Sequence, residues 1–113
     1  MKAQDFVYAW KRLADRQVGG SGEWLIGNIK GMTAFAEASS GEAPTDYSRE
    51  VAGVRALDDL TLRVELERPS NQFLYFLTMC YMAPVPEEAV AYYGQHGLAE
   101  NPVGAGPYKL RSW

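Results

Sequence analysis

Cysteine and histidine are almost missing: Cys80 and His96 are the single examples of each in 113 residues. A lone cysteine excludes an internal disulfide and says nothing about compartment. Together the two do not supply the three or four ligands of a zinc site, and no metal or other cofactor is expected. No nucleophile elbow accompanies them. His96, in Tyr93-Gly94-Gln95-His96-Gly97, reads as a solvated loop histidine. A strong excess of either sign of charge is missing too. The formal net charge is -3, and Lys and Arg are scattered rather than clustered, so nucleic acid is not an expected partner. No apolar run approaches the ~20 residues that span a bilayer. The longest, residues 73–82, is interrupted by Thr78 and reads as buried helix and strand. No apolar leader opens the chain, because Met1-Lys2 runs directly into a helical pattern containing Asp5. That fits either a cytoplasmic protein or an excised piece of an exported one.

What is present is ordinary globular material, 47% hydrophobic and 22% charged, enough for one domain with a modest core. Residues 3–15 carry Ala3, Phe6, Val7, Trp10, Leu13 and Ala14 at helical spacing, with no capping residue ahead of them. A glycine-rich loop at 18–22 follows, and helical character resumes over 23–38 with a break expected near Gly27 or Gly31. After a polar loop, residues 51–67 change period. Leu60, Leu62, Val64 and Leu66 alternate with Thr61, Arg63, Glu65 and Glu67 in a half-buried strand, and Asp58-Asp59 turns it back on residues 51–57. A short aromatic helix begins near Gln72. Pro84 and Pro86 impose an extended passage into a helix whose first turn holds Glu87-Glu88, where the helix dipole favours acids, and which Gly94 ends. Residues 107–113 read as a last strand.

Gly104-Ala105-Gly106 resembles the start of a dinucleotide fingerprint, but the third small residue is replaced by Lys109 and a strand, not a helix, is expected to follow. The pair reads as a tight turn whose glycines take backbone angles costly to other residues. The many aromatics, Phe73, Tyr75, Phe76, Tyr81, Tyr92, Tyr93 and Tyr108 with Trp10, Trp24 and Trp113, are expected mostly in the core, a few lining a cleft for an extended ligand. Cys80, between Met79 and Tyr81, reads as a packed small hydrophobe.

Five segments occur in a recognisable order: DFVYAWKRLAD (5–15), VRALDDLTLRVELERP (54–69), FLYFLT (73–78), APVPEEAV (83–90) and NPVGAGPYKLRSW (101–113). In this order the chain resembles the oligopeptide- and dipeptide-binding proteins of ABC transporters, bacterial extracellular solute-binding family 5. The resemblance implies an α+β unit, a small antiparallel sheet (hairpin 51–67 plus a C-terminal strand) packed with about four short helices. It also implies that residues 1–113 are a single domain, a fragment of a larger multi-domain protein of the type II periplasmic-binding-protein kind. That protein would be extracytoplasmic, in the periplasm or lipid-anchored at the cell surface, and would pass a peptide ligand to a membrane permease without catalysis. One wall of the ligand cleft would fall at Gly22 and Glu23 and at Met79 and Cys80. Gly104, Gly106 and Pro107 would form the crossover into the neighbouring lobe. A ligand-sensing domain of a regulator, or a binder of a nickel chelate or sugar, is the alternative. A fragment that has lost a neighbour along the 3–15 helix or the last strand is expected to favour dimers.

Overall fold

The computed structural model describes residues 1–18 and 22–112, and for Gln95 and His96 the backbone only. The middle of the glycine-rich loop, the side chain of His96 and Trp113 therefore lie outside the described residues, and so do the readings made of them.

The first helix, α1 (Ala3–Ala14), starts where the backbone N–H of Lys2 donates to the Asp5 carboxylate at 2.6 Å. An acidic side chain from inside the first turn thus replaces the absent N-cap residue. Lys11 and Arg12 occupy the last turn, and Asp15 turns extended to end it. The helix buries Val7, Trp10 and Ala14 at three- and four-residue spacing. Trp10 is the hub. Its ring meets Phe6 and Phe73 edge to face, and its indole N–H donates 3.1 Å to the carbonyl of the buried Met82. The α1 stripe is thus covered by this chain's own core, not left open as the dimer expectation supposed.

After a 3-10 turn at Arg16–Val18 come α2 (Glu23–Ile26) and α3 (Met32–Ala38). The expected break between them is real, and Gly31 makes it with φ +80°, a left-handed conformation that other residues adopt only with strain. α3 buries Met32, Phe35 and Ala36 against the core. The polar loop that follows is strapped to the end of α1. The Tyr47 hydroxyl donates to the Asp15 carboxylate at 2.5 Å, and the Gln17 side-chain amide reaches the carbonyls of Ser39, Gly41 and Ala43 at 3.0, 2.9 and 2.7 Å. Ser39, itself buried, accepts from the Arg16 backbone and donates to the Ala36 carbonyl.

The hairpin is shorter than the sequence pattern. Strands β1 (Val54–Ala56) and β2 (Leu62–Val64) pair antiparallel, Val54 opposite Val64 and Ala56 opposite Leu62. Leu60, expected to face inward, is 91% exposed. Asp58 accepts from the Leu60 N–H, and Leu57 N–H bonds to the Thr61 carbonyl, so Leu60 belongs to the turn and its side chain leaves the strand's alternation. The hairpin tip is fixed to α1 by the Ala3 N–H, which donates to the Asp59 carbonyl.

Three backbone segments meet at Gly53. Its N–H donates to the Lys30 carbonyl (2.8 Å), Lys30 N–H to the Glu65 carbonyl (3.0 Å), and Glu65 N–H back to the Gly53 carbonyl (2.8 Å). A Cβ at Gly53 would stand 2.5 to 2.7 Å from backbone atoms of both Lys30 and Glu65. Next to this ring, Ile29 and Leu66 form an isolated antiparallel bridge.

The remaining chain departs most from expectation. After α4 (Gln72–Phe76), which buries Phe73, residues 80–82 form a 3-10 turn, not a strand, and Cys80 is exposed rather than packed. Of the apolar run 73–82 only Phe73 and Met82 are buried, because a short helix and a turn can present one side each to α1. α5 (Glu87–Glu100) begins after Pro86 as expected, with Glu87 and Glu88 in its first turn. Gly94 (φ 72°, ψ 173°) interrupts it, and a second helical stretch then resumes. Among the described residues there are five α-helices and two 3-10 turns, more than the four helices expected. No described residue beyond 100 is in a strand; residues 101–112 are exposed and unpaired with any strand of this chain, and an extended segment without a partner forms no ladder. No helix among the described residues is long and apolar enough to cross a membrane.

Two outcomes follow for stability. Gly53→Ala should destabilise by about 1–3 kcal/mol, the usual range for forcing extra atoms into a packed site. Gly106→Ala, with nothing within 4 Å of its added carbon, should change thermal unfolding hardly at all; equal effects of the two would contradict the ring. For Tyr47, burial first and the Asp15 hydrogen bond second push the phenol well above its usual range. The folded chain therefore favours the protonated phenol, a contribution intact below about pH 10 and lost as pH rises beyond it. Tyr47→Phe should cost about 1–3 kcal/mol at neutral pH and flatten the alkaline loss of stability, read from urea midpoints. Tyr8, raised mainly by burial, keeps some of that loss in the variant.

Candidate functional site

The four positions expected at a cleft wall present less than their neighbours do. Gly22 is buried, and its missing side chain is a packing requirement, since a Cβ there would come within 2.3 Å of Leu13. Its carbonyl accepts from the N–H groups of Leu25 and Ile26 and starts α2. Glu23 is engaged: its carboxylate accepts from the Arg16 guanidinium at 2.7 and 2.9 Å. Such a half-exposed pair orients the first turn of α2 and contributes little to stability. Met79 and Cys80 are exposed at the start of the 3-10 turn.

The side chains that build the surface are Trp24 and Tyr81, one residue beyond Glu23 and Cys80. Trp24, 59% exposed, packs edge to face on Phe76 with ring centroids 5.6 Å apart. Tyr81, 62% exposed, shares with Trp24, Leu13, Gly22 and Leu25 a small cavity of about 130 Å3. The contact of Trp24 with Phe76 joins the loop after α1 to the aromatic helix, so two segments more than fifty residues apart in sequence form one face. Leu74, Tyr75 and Leu77, in and just after α4, are exposed as well. Sequence reasoning had Trp24 and Tyr81 among the aromatics that could line a cleft; what it lacked was which aromatics the short α4 would leave outside.

This face has the chemistry of contact. It offers aromatic and aliphatic area with an ion-paired carboxylate at its edge, and among the described residues no group of His, Cys, Asp and Glu could hold a metal ion. Aromatic side chains of this kind give rigid, amphipathic contact area at low entropic cost.

The expected crossover residues are placed apart from this face. Gly104, Gly106 and Pro107 are exposed in the irregular segment after α5. Neither glycine has a positive φ, and Gly106 has open space around it, so the strained-turn reading does not hold. Glycine is permitted there, not required by this chain's backbone.

Comparison with known proteins places the chain. Residues 1–113 match the family described as bacterial extracellular solute-binding proteins, family 5 Middle, and the chain belongs to that family. It is 37% identical over 118 residues to the periplasmic oligopeptide-binding protein OppA of Salmonella typhimurium, covering 98% of this chain and 20% of that one. Against the dipeptide-binding protein DppE of Bacillus subtilis the identity is 38% over 113 residues, covering 98% and 19%. The solved structure of Burkholderia pseudomallei OppA superposes with a TM-score of 0.79 at 33% identity over 99% of this chain and 21% of its own. The chain thus spans about a fifth of the length of these relatives. The α+β fold with its small antiparallel sheet is the fold of a piece of such proteins.

Because Cys80 is exposed, a thiol-specific reagent should modify one thiol per chain without prior unfolding. Protection of the native chain, relieved only by denaturant, would contradict the placement.

Proposed function

We propose that residues 1–113 form one domain of a longer, extracytoplasmic solute-binding protein, in the periplasm or lipid-anchored at the cell surface. That protein captures peptides and delivers them to the permease of an ABC transporter. The domain is non-catalytic and supplies one wall beside the ligand cleft. Gly22 and Glu23 set the loop on one side of that wall, Met79 and Cys80 begin the turn on the other, and Trp24 and Tyr81 give it area. Family membership supports the class, and the names of the relatives support peptide as the ligand. The observation that carries the wall is the exposed aromatic face that Trp24 and Phe76 join.

In this reading a peptide lies extended against the face, held elsewhere by backbone hydrogen bonds and roomy, hydrated side-chain pockets, which give affinity with little sequence preference. Lobe closure couples capture to recognition by the permease. Residues 101–112, with Gly104, Gly106 and Pro107, lead into the neighbouring lobe, whose sheet edge gives Pro107 and its successors the ladder partner absent here. Separated from the other lobes, the domain self-associates through the same exposed face.

The test uses the full-length protein and calorimetry with mixed short peptides. Trp24→Ala with Tyr81→Ala should weaken binding about tenfold, equivalent to about 1.4 kcal/mol, and saturating peptide should slow modification of Cys80. Unchanged affinity in the double variant removes the wall, and an unsubstituted protein that binds no peptide removes the ligand class. For the separated domain, light scattering should show a concentration-dependent dimer that the double variant abolishes.

A further inference from the structure

A second cavity, of about 410 Å3, lies away from the aromatic face and has no part in the proposed peptide site. Gln4, Val7 and Lys11 form its wall on α1, spaced three and four residues apart and so on one stripe of the helix. Leu13, which lines the small cavity beside Trp24, points from the other side of the same helix. The loop around Tyr47, the start of β1 and Glu87 of α5 complete the cavity.

Lys11 is the unusual member. It is only 5% exposed, and its ammonium donates 2.9 Å to the Tyr47 carbonyl. That carbonyl is held in place because the Tyr47 ring packs on Tyr8 and Phe35 and its hydroxyl is bonded to Asp15. An ammonium carries three donors, and the Tyr47 carbonyl takes up one of them in a place where burial of a charge is costly. The ion pairs among the described residues, Lys2–Asp59, Arg16–Glu23, Arg55–Glu50 and Arg63–Glu65, include neither Lys11 nor Glu87. Burial lowers the affinity of Lys11 for its proton, and the carboxylates of Asp46, Glu50 and Glu87 act in the other direction from nearby. Asp46 is occupied by Ser48, whose N–H and hydroxyl it accepts, and Glu50 by Arg55 at 3.5 Å. The cavity therefore offers one buried cation and one carboxylate outside any ion pair, with Val7, Val51 and Val54 as an apolar floor.

A simple anion would meet the field of three carboxylates, and a simple cation would meet Lys11. A molecule carrying both charges a few bonds apart satisfies both. We propose that this cavity binds a small zwitterion, an aliphatic α-amino acid, with its carboxylate on Lys11, its ammonium on Glu87 and its side chain on the valines. The volume lies within the ~300–1,000 Å3 usual for small-molecule sites.

The experiment is amide NMR of the 113-residue chain titrated with L-alanine, acetate and methylammonium. L-Alanine should give saturable shifts at Lys11, Tyr47, Glu50 and Glu87. Lys11→Met, which keeps the apolar stem, should reduce affinity at least about tenfold. Glu87→Gln, on the exposed first turn of α5, should do the same and carries the test should Lys11→Met not fold. The proposal is overturned if L-alanine gives no saturable shift at these residues, if the variants bind as the parent does, or if acetate or methylammonium alone matches L-alanine. Shifts confined to Trp24 and Tyr81 would also overturn it, and would concern the other face only.

Discussion

Three backbone hydrogen bonds close on themselves at Lys30, Gly53 and Glu65, and most of the fold rests on that ring. A two-stranded ribbon of three residues a side is marginal alone in water. Here the chain between α2 and α3 runs beside the exit of β2, through the Ile29–Leu66 bridge and the bond from Glu67 N–H to the Asn28 carbonyl. The ring sits where this third segment meets the entry to β1. It satisfies three donors and three acceptors in a place with no room for side chains, which is why the residue there is glycine. With the ribbon thus tied to α2 and α3, α1 packs across both and Trp10 completes the core.

Elements governed by local chemistry were legible in the sequence. The α1 stripe, the break at Gly31, the turn at Asp58-Asp59 and the start of α5 after Pro86 follow from periodicity, positive φ and ring geometry. Elements governed by what lies next to them were not. Leu60 continues the alternation on paper, but the Asp58 carboxylate captures its N–H and pulls it into the turn. Residues 73–82 are apolar enough for a core, yet only Phe73 and Met82 find the inner side. Residues 107–112 have strand character and no neighbour to pair with in this chain. Gly53 does carry a signal in the sequence, since a glycine inside a strand pattern marks a close backbone approach.

The positions named by resemblance stand one residue before two exposed aromatics. Resemblance pointed to Gly22, Glu23, Met79 and Cys80, and the structure gives those residues the work of shaping: a packed turn, an ion pair and the start of a 3-10 turn. The side chains they present are Trp24 and Tyr81. An offset of one residue cannot be read from composition, because it depends on which way a short helix and a turn are rotated about the core. Lys11 was hidden for the same reason. On a helical wheel it is a basic residue of the last turn, and only the fold of the 39–50 loop over it makes it interior.

The indole of Trp10 donates to the carbonyl of Met82, the residue directly after Tyr81. In mechanical terms, one exposed ring of the aromatic face is one peptide unit from an anchor bolted into the centre of the domain. Tyr81 cannot shift along the surface without stretching a buried hydrogen bond, and Trp24 is braced against Phe76, whose helix holds Phe73 against the same indole. The face is therefore stiff before anything touches it, and a ligand settling there would give up its own freedom but little of the protein's.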